Sequence, residues 1–203
     1  VIGCNFYLPQ TSIILPDGGY NLSTANIGLK VIKVNQAVCG NSSERYTSST
    51  ASAVKTFQRT HGLGVTGIVD ITTWKAMGYS EYDWYNLGTY RTPIKVFNGA
   101  TREYRINAML QTAAEYASAG TKYKVGCSGT PGTYVDCSGL IYQCLYAAGI
   151  NPASNIVDHA LAIYEYTSAN LAADNKLGIE VASYDLQPGD LVFYAKNGKS
   201  SVC

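Results

Sequence analysis

Charge is scarce in this chain of 203 residues: Asp, Glu, Lys and Arg make up 14% and the net charge is +1. Without a basic stripe or an acidic tail, no nucleic-acid partner is expected. No apolar run approaches the roughly 18–20 residues needed to span a bilayer, so no membrane span is expected. Histidine occurs twice, and none of the six cysteines forms a C-x-x-C pair. A structural zinc site is therefore not expected, and no cofactor motif is visible, so neither metal nor cofactor is predicted. Cys4, Cys39, Cys127, Cys137, Cys144 and Cys203 are not spaced as a disulfide framework. The chain is too long and too rich in apolar periodicity to depend on one, and some of these residues are expected to be small core hydrophobes. No signal peptide precedes Val1, which fits a mature or trimmed chain.

What the chain does have is apolar residues, at 46%, and 17 tyrosines. A packed core is expected, and the length suits one large domain or two small ones. Tyr, Ser, Thr, Asn and Gly supply a weakly charged polar surface that suits uncharged or mixed ligands such as glycans. Residues 1–25 carry Pro9, Pro16 and the turn signal Asp17-Gly18-Gly19, and read as an irregular leader.

Ile27, Val31, Val34 and Val38 recur at helical spacing up to Gly40. Ala53, Val54, Phe57 and His61 predict a second helix ended by Gly62. Asp70 is placed to cap a third through Thr72, Trp74 and Met77. Val54, Phe57, Leu63, Ile68 and Trp74 are expected to be core. The string Ala53-Val54-Lys55-Thr56-Phe57-Gln58, then Gly62-Leu63, Thr66-Gly67-Ile68-Val69-Asp70 and Thr73-Trp74, resembles the three-helix peptidoglycan-binding fold over residues 26–79. The resemblance implies wall glycan as a partner and reads His61 as a structural or ligand-facing residue of that unit.

Residues 80–101, rich in Tyr, Gly, Asn and Thr, read as a linker packed through Tyr82, Trp84 and Tyr85. Ile106, Met109, Leu110, Ala113 and Ala117 predict an amphipathic helix ending at Gly120. A Gly-rich loop follows, and a helix starting near Cys137 buries Leu140, Ile141, Cys144, Leu145 and Ala148. Residues 156–172 are expected to be helical, and Leu191–Tyr194, after the turn Gln187-Pro188-Gly189-Asp190, is expected to be a buried strand.

Cys137 stands where a helix begins. Unpaired N–H groups and the positive end of the dipole favour a thiolate there. Such settings lower a cysteine pKa from about 8.5 to roughly 3.5–7.5, and the same N–H groups can stabilise an oxyanion. The plainer alternative is a buried helical cysteine. Tyr123-x-x-Gly126, Asp136-Cys137-Ser138-Gly139-Leu140 and Leu186-Gln187-Pro188-Gly189-Asp190-Leu191-Val192-Phe193-Tyr194 together resemble the NlpC-type cysteine peptidases of the cell wall. That resemblance implies an α+β fold: the three-helix domain followed, over 102–203, by a papain-like catalytic domain with helices on an antiparallel sheet. It implies an endopeptidase that cleaves stem-peptide bonds, often beside D-glutamyl, through a Cys137 thioester. Tyr123, Asp136 and Ser138 match positions that contact substrate, although a surface tyrosine, a helix cap and a first-turn residue are the alternatives.

The family's histidine opens the strand after the one matched by 190–194, and the sequence reaches Cys203 at about that point. The expectation is a catalytic domain truncated in this chain, inactive as it stands, whose native form continues with the histidine. His159 lies in the wrong block to serve as base. A catalytically inactive peptidoglycan-binding protein and an amidase on the same core are the alternative functions. A secreted or wall-associated monomer is expected.

Overall fold

Side-chain oxygens placed just ahead of the periodic segments set where several of the helices begin. The computed structural model describes residues 2–4, 19–88, 90–150, 167–173 and 178–194. Its N-terminal half contains strand β1 (Ile2–Cys4) and helices α1 (Leu29–Cys39), α2 (Ser48–Thr60), α3 (Ile71–Ala76) and α4 (Glu81–Asn86). Thr47 and Thr50 exchange side-chain and backbone hydrogen bonds at 3.2 Å, a capping box that starts α2. Asp70 accepts the Thr73 N–H at 2.7 Å and Ser80 accepts the Asp83 N–H at 3.0 Å, which starts α3 and α4. Gly40 ends α1 at φ 65°, in the left-handed region that favours glycine.

Leu22, Val31, Val34, Tyr46, Val54, Val69, Trp74 and Trp84 form the core of this half. Val54 and Trp74 are buried as their periodicity predicts. Phe57 and Leu63, expected in the core, are half-buried, and Ile68 is 41% exposed. Gln58 takes the inward position instead. Its Oε1 accepts the N–H groups of Thr66 and Gly67 at 3.0 and 2.9 Å, and its Nε2 donates to the Ile68 carbonyl at 2.8 Å. Leaving such buried groups unpaired costs about 1–3 kcal/mol each, so an amide outcompetes an apolar side chain here.

The stretch after residue 79 is more than a linker. Helix α4 buries Trp84, while Tyr82 and Tyr85 stay exposed. The buried Lys30 donates its Nζ to the Trp84 carbonyl, and that nitrogen lies 4.3 Å from the centre of the Tyr20 ring. Leu22, ahead of the first helix, is buried and pairs with Val69.

The C-terminal half comprises α5 (Arg102–Ser118), β2 (Lys122–Tyr123), β3 (Tyr134–Val135), α6 (Cys137–Ala147), α7 (Ser168–Ala173) and β4 (Gly178–Glu180). The architecture is α+β. The resemblance implied helices on an antiparallel sheet. Among the described residues, β2 and β3 instead form a parallel pair, with Tyr123 opposite Val135, and β1 pairs antiparallel with β4. No described helix is long and apolar enough to cross a membrane.

Helices α5 and α6 pack together through Ile106, Met109, Tyr142, Leu145 and Ile150, and Leu171 of α7 joins them. The inward face of α5 differs from the predicted one: Leu110 and Ala117 are exposed, and Arg105, Thr112 and Tyr116 are buried. Each buried polar group has a carbonyl to meet. Arg105 donates to Ala148, Thr112 to Ala108 at 2.8 Å, and Tyr116 to Gly129 at 2.7 Å.

Only Leu191 of the predicted 191–194 strand is buried. Val192 and Tyr194 are exposed and Phe193 is half-buried, the alternation of an extended segment with one covered face. His159 and most of the helix expected over 156–172 lie outside the described residues; α7 begins near the end of that range.

Candidate active site

The segment Val135-Asp136-Cys137-Ser138-Gly139 turns from a strand directly into a helix, and Asp136 makes the turn. Its extended backbone (φ −102°, ψ −176°) and its carbonyl, which accepts the Leu140 N–H at 3.0 Å, define the start of α6. Oδ1 of its carboxylate accepts the Gly139 N–H at 2.7 Å and the Ser138 hydroxyl at 3.2 Å. Oδ2 accepts the Gly126 N–H at 2.8 Å. A buried carboxylate is tolerable here because both oxygens are engaged and the charge sits at the positive end of the helix dipole.

Cys137 is then the first helical residue, and it is exposed with a free thiol. It borders a cavity of about 180 Å³ lined by Ser138, Ile141, Ser168, Leu171, Leu191, Val192 and Phe193. Cys137, Ser138 and Ser168 thus give the cavity its polar lining, and aliphatic side chains and Phe193 supply the rest.

The loop between β2 and β3 closes beneath this turn. The Cys127 carbonyl accepts the Asp136 N–H at 2.8 Å, and the Ser128 hydroxyl donates to the Gly139 carbonyl at 3.2 Å. Glycine at 139 permits the approach. A Cβ there would run into the Cys127 carbonyl oxygen and lie 3.1 Å from both Asp136 Oδ1 and Ser128 Cβ.

The four residues singled out in the sequence are thus distributed unequally. Cys137 and Ser138 line the cavity, although Ser138 is itself only 3% exposed. Asp136 lies beneath them as the helix cap. Tyr123 is 65% exposed on β2, beside the strand that runs into Cys137, and does not line the cavity among the described residues. His61 belongs to the N-terminal half, stacked on Phe57 with ring centres 3.9 Å apart. Among the described residues no group of three or more His, Cys, Asp or Glu side chains is placed to hold a metal ion.

Gln143 escaped the sequence reading. It is fully buried on α6, where its Oε1 accepts both the N–H and the hydroxyl of Thr92, at 2.8 and 2.9 Å. Its Nε2 lies 3.0 Å from the Tyr90 carbonyl, 3.1 Å from the Ser128 carbonyl and 2.9 Å from the Ser128 hydroxyl. One amide thereby joins the segment entering this half to the loop under Cys137. The available signal was a glutamine inside an otherwise apolar helical run, Leu140 to Leu145. Cys144, the next residue and about two turns after Cys137, is 3% exposed, and burial pushes its thiol pKa up to about 11.

Residues 33–77 match the family model of a peptidoglycan-binding domain, and residues 120–203 match that of the NlpC/P60 family. No curated protein and no solved structure matches the chain.

Proposed function

The chain joins a peptidoglycan-binding domain to an NlpC/P60 domain, and on that premise we propose that it is a peptidoglycan hydrolase, a cysteine endopeptidase acting on stem peptides beside D-glutamyl. The observation that carries this reading is the exposed Cys137 thiol at the first position of a capped helix, on the rim of a cavity.

In this reaction the Cys137 sulfur attacks the amide carbonyl carbon, and the carbonyl oxygen becomes an oxyanion near the positive end of α6. A general base takes the thiol proton and delivers it to the amide nitrogen as the C–N bond breaks, so the amine leaves neutral and a thioester remains for water to hydrolyse. Asp136 is a positioning residue, because its carboxylate is occupied by Gly139, Ser138 and Gly126. Ser138 and the exposed Tyr123 are assigned to substrate contact. His61 is stacked on Phe57 in the N-terminal half and is not assigned as the base; the family resemblance assigns that role to a histidine that follows the 186–194 motif in sequence. The N-terminal domain, with wall glycan as its partner, raises the local concentration of substrate by tethering. The protein works in the cell wall or as a secreted enzyme.

The test is digestion of purified peptidoglycan by the full-length protein and by Cys137→Ala, with released muropeptides read by mass spectrometry. A new amino terminus within the stem peptide, absent with the variant, is the expected result. Release at the lactyl group of the sugar would make the protein an amidase. Pelleting with the wall and no release by either form would make it a binding protein only.

A further inference from the structure

The 124–129 loop faces two ways. On one side it supports the start of α6, through Gly126 to Asp136, Cys127 to Asp136 and Ser128 to Gly139. On the other it rests on the N-terminal domain. A Cβ on Gly126, whose φ is +75°, would lie 2.6 Å from Cγ1 and Cδ1 of Ile27, and one on Gly129 would lie 2.9 Å from Cδ1 of Leu29. Both glycines therefore let the loop backbone sit directly against the entry to α1. Lys124 Nζ donates to the Ser42 carbonyl at 2.6 Å and lies 3.7 Å from Glu44 Oε2. The supporting residues are tied to one another, since Ile27 bridges to Arg45 and the Gly28 N–H donates to the Glu44 carbonyl at 2.8 Å.

We infer that the N-terminal domain is also a structural support of the catalytic centre. Ile27 and Lys124 are positioning residues that hold the 124–129 loop, and through it the Asp136 cap and Cys137. The inference rests on Cys137 being the nucleophile and adds to the tethering role. A tether raises the rate on insoluble wall and does nothing for a small soluble substrate. A support affects every substrate, because a loop that loses its packing opens locally at a lower free-energy cost.

The experiment uses the full-length protein and two readouts: hydrogen exchange at the Gly126 and Gly139 amides, and turnover of a soluble stem peptide. Lys124→Glu sets two carboxylates against each other. It is expected to speed exchange at both amides by about tenfold and to lower kcat similarly, with KM within about twofold, which is the range of coupling between contacting residues. Adding Glu44→Lys is expected to recover much of the loss. Ile27→Ala, which removes packed atoms without adding charge, is the second variant and moves the same two amides. Circular dichroism of the helices in both halves verifies that each variant is folded. Folded variants with wild-type exchange and wild-type turnover overturn the inference, as does a defect confined to insoluble wall. Altered exchange in a protein whose wild type has no peptidase activity upholds the support and instead removes the nucleophile reading.

Discussion

The Asp136 carboxylate accepts the Gly139 N–H at 2.7 Å with one oxygen and the Gly126 N–H at 2.8 Å with the other. One side chain thus fixes both the start of the cysteine-bearing helix and the loop beneath it. Losing a cap costs about 0.5–2 kcal/mol, and here a second buried N–H is orphaned as well. Asp136→Ala is expected to lower the thermal midpoint of the protein by several degrees. Asp136→Asn, which keeps one accepting oxygen, should fall between the two in the same melt.

Glycine at 139 is required by contact rather than by backbone angle. Gly139→Ala forces a methyl toward the Cys127 carbonyl and to 3.1 Å from Ser128 Cβ. Overpacking of this kind costs typically 1–3 kcal/mol. Denaturant unfolding should show a loss of that order, whereas Gly132→Ala, where the nearest neighbour is the Ala119 carbonyl oxygen at 3.5 Å, should cost less apart from its backbone strain at φ 85°.

Gln143→Leu keeps the size of the side chain and removes its hydrogen bonds to Tyr90, Thr92 and Ser128. Each buried group left unpaired costs about 1–3 kcal/mol. The segment around Thr92 should then detach from α6 more often, and limited proteolysis should cut there faster than in the wild type.

Thiol chemistry separates the cysteines of α6. Cys137 is exposed, whereas Cys144 is 3% exposed with its pKa raised by burial to about 11. Iodoacetamide at pH 8 on the folded protein should label Cys137 and leave Cys144 unmodified, as read by peptide mass spectrometry; in denaturant both should react.

The same shift makes a prediction for alkaline stability. The folded pKa of Cys144 lies above its ordinary value, so between about pH 9 and 11 the folded state holds more protons than the unfolded one. The contribution is complete below that window and is lost as pH rises through it. Burial also raises the Tyr46 and Tyr116 phenols, which extends the loss to higher pH. The thermal midpoint should fall from pH 9 to 11, and the fall should be shallower in Cys144→Ala.

Local rules sufficed for much of this molecule. Asp70, Gly40 and the 3.6-residue period of Val31, Val34 and Val54 mark helices α1 to α3, because caps, left-handed glycines and apolar stripes act within a turn or two of chain. Its place at a helix start and the family motif around it mark Cys137 as a nucleophile candidate. Ile68, Phe57 and Leu110 are apolar at helical or core spacing and yet are not fully buried. Periodicity says that a face is apolar, and it cannot say that Gln58 or Arg105 will be drawn inward to satisfy buried backbone groups from distant segments. The remaining contacts join segments far apart in the chain: the Gly126 N–H on Asp136, Gln143 joining Thr92 to Ser128, and Ile27 against Gly126. Those contacts depend on where loops come to rest, which follows from the packing of the helices and is written in no local pattern.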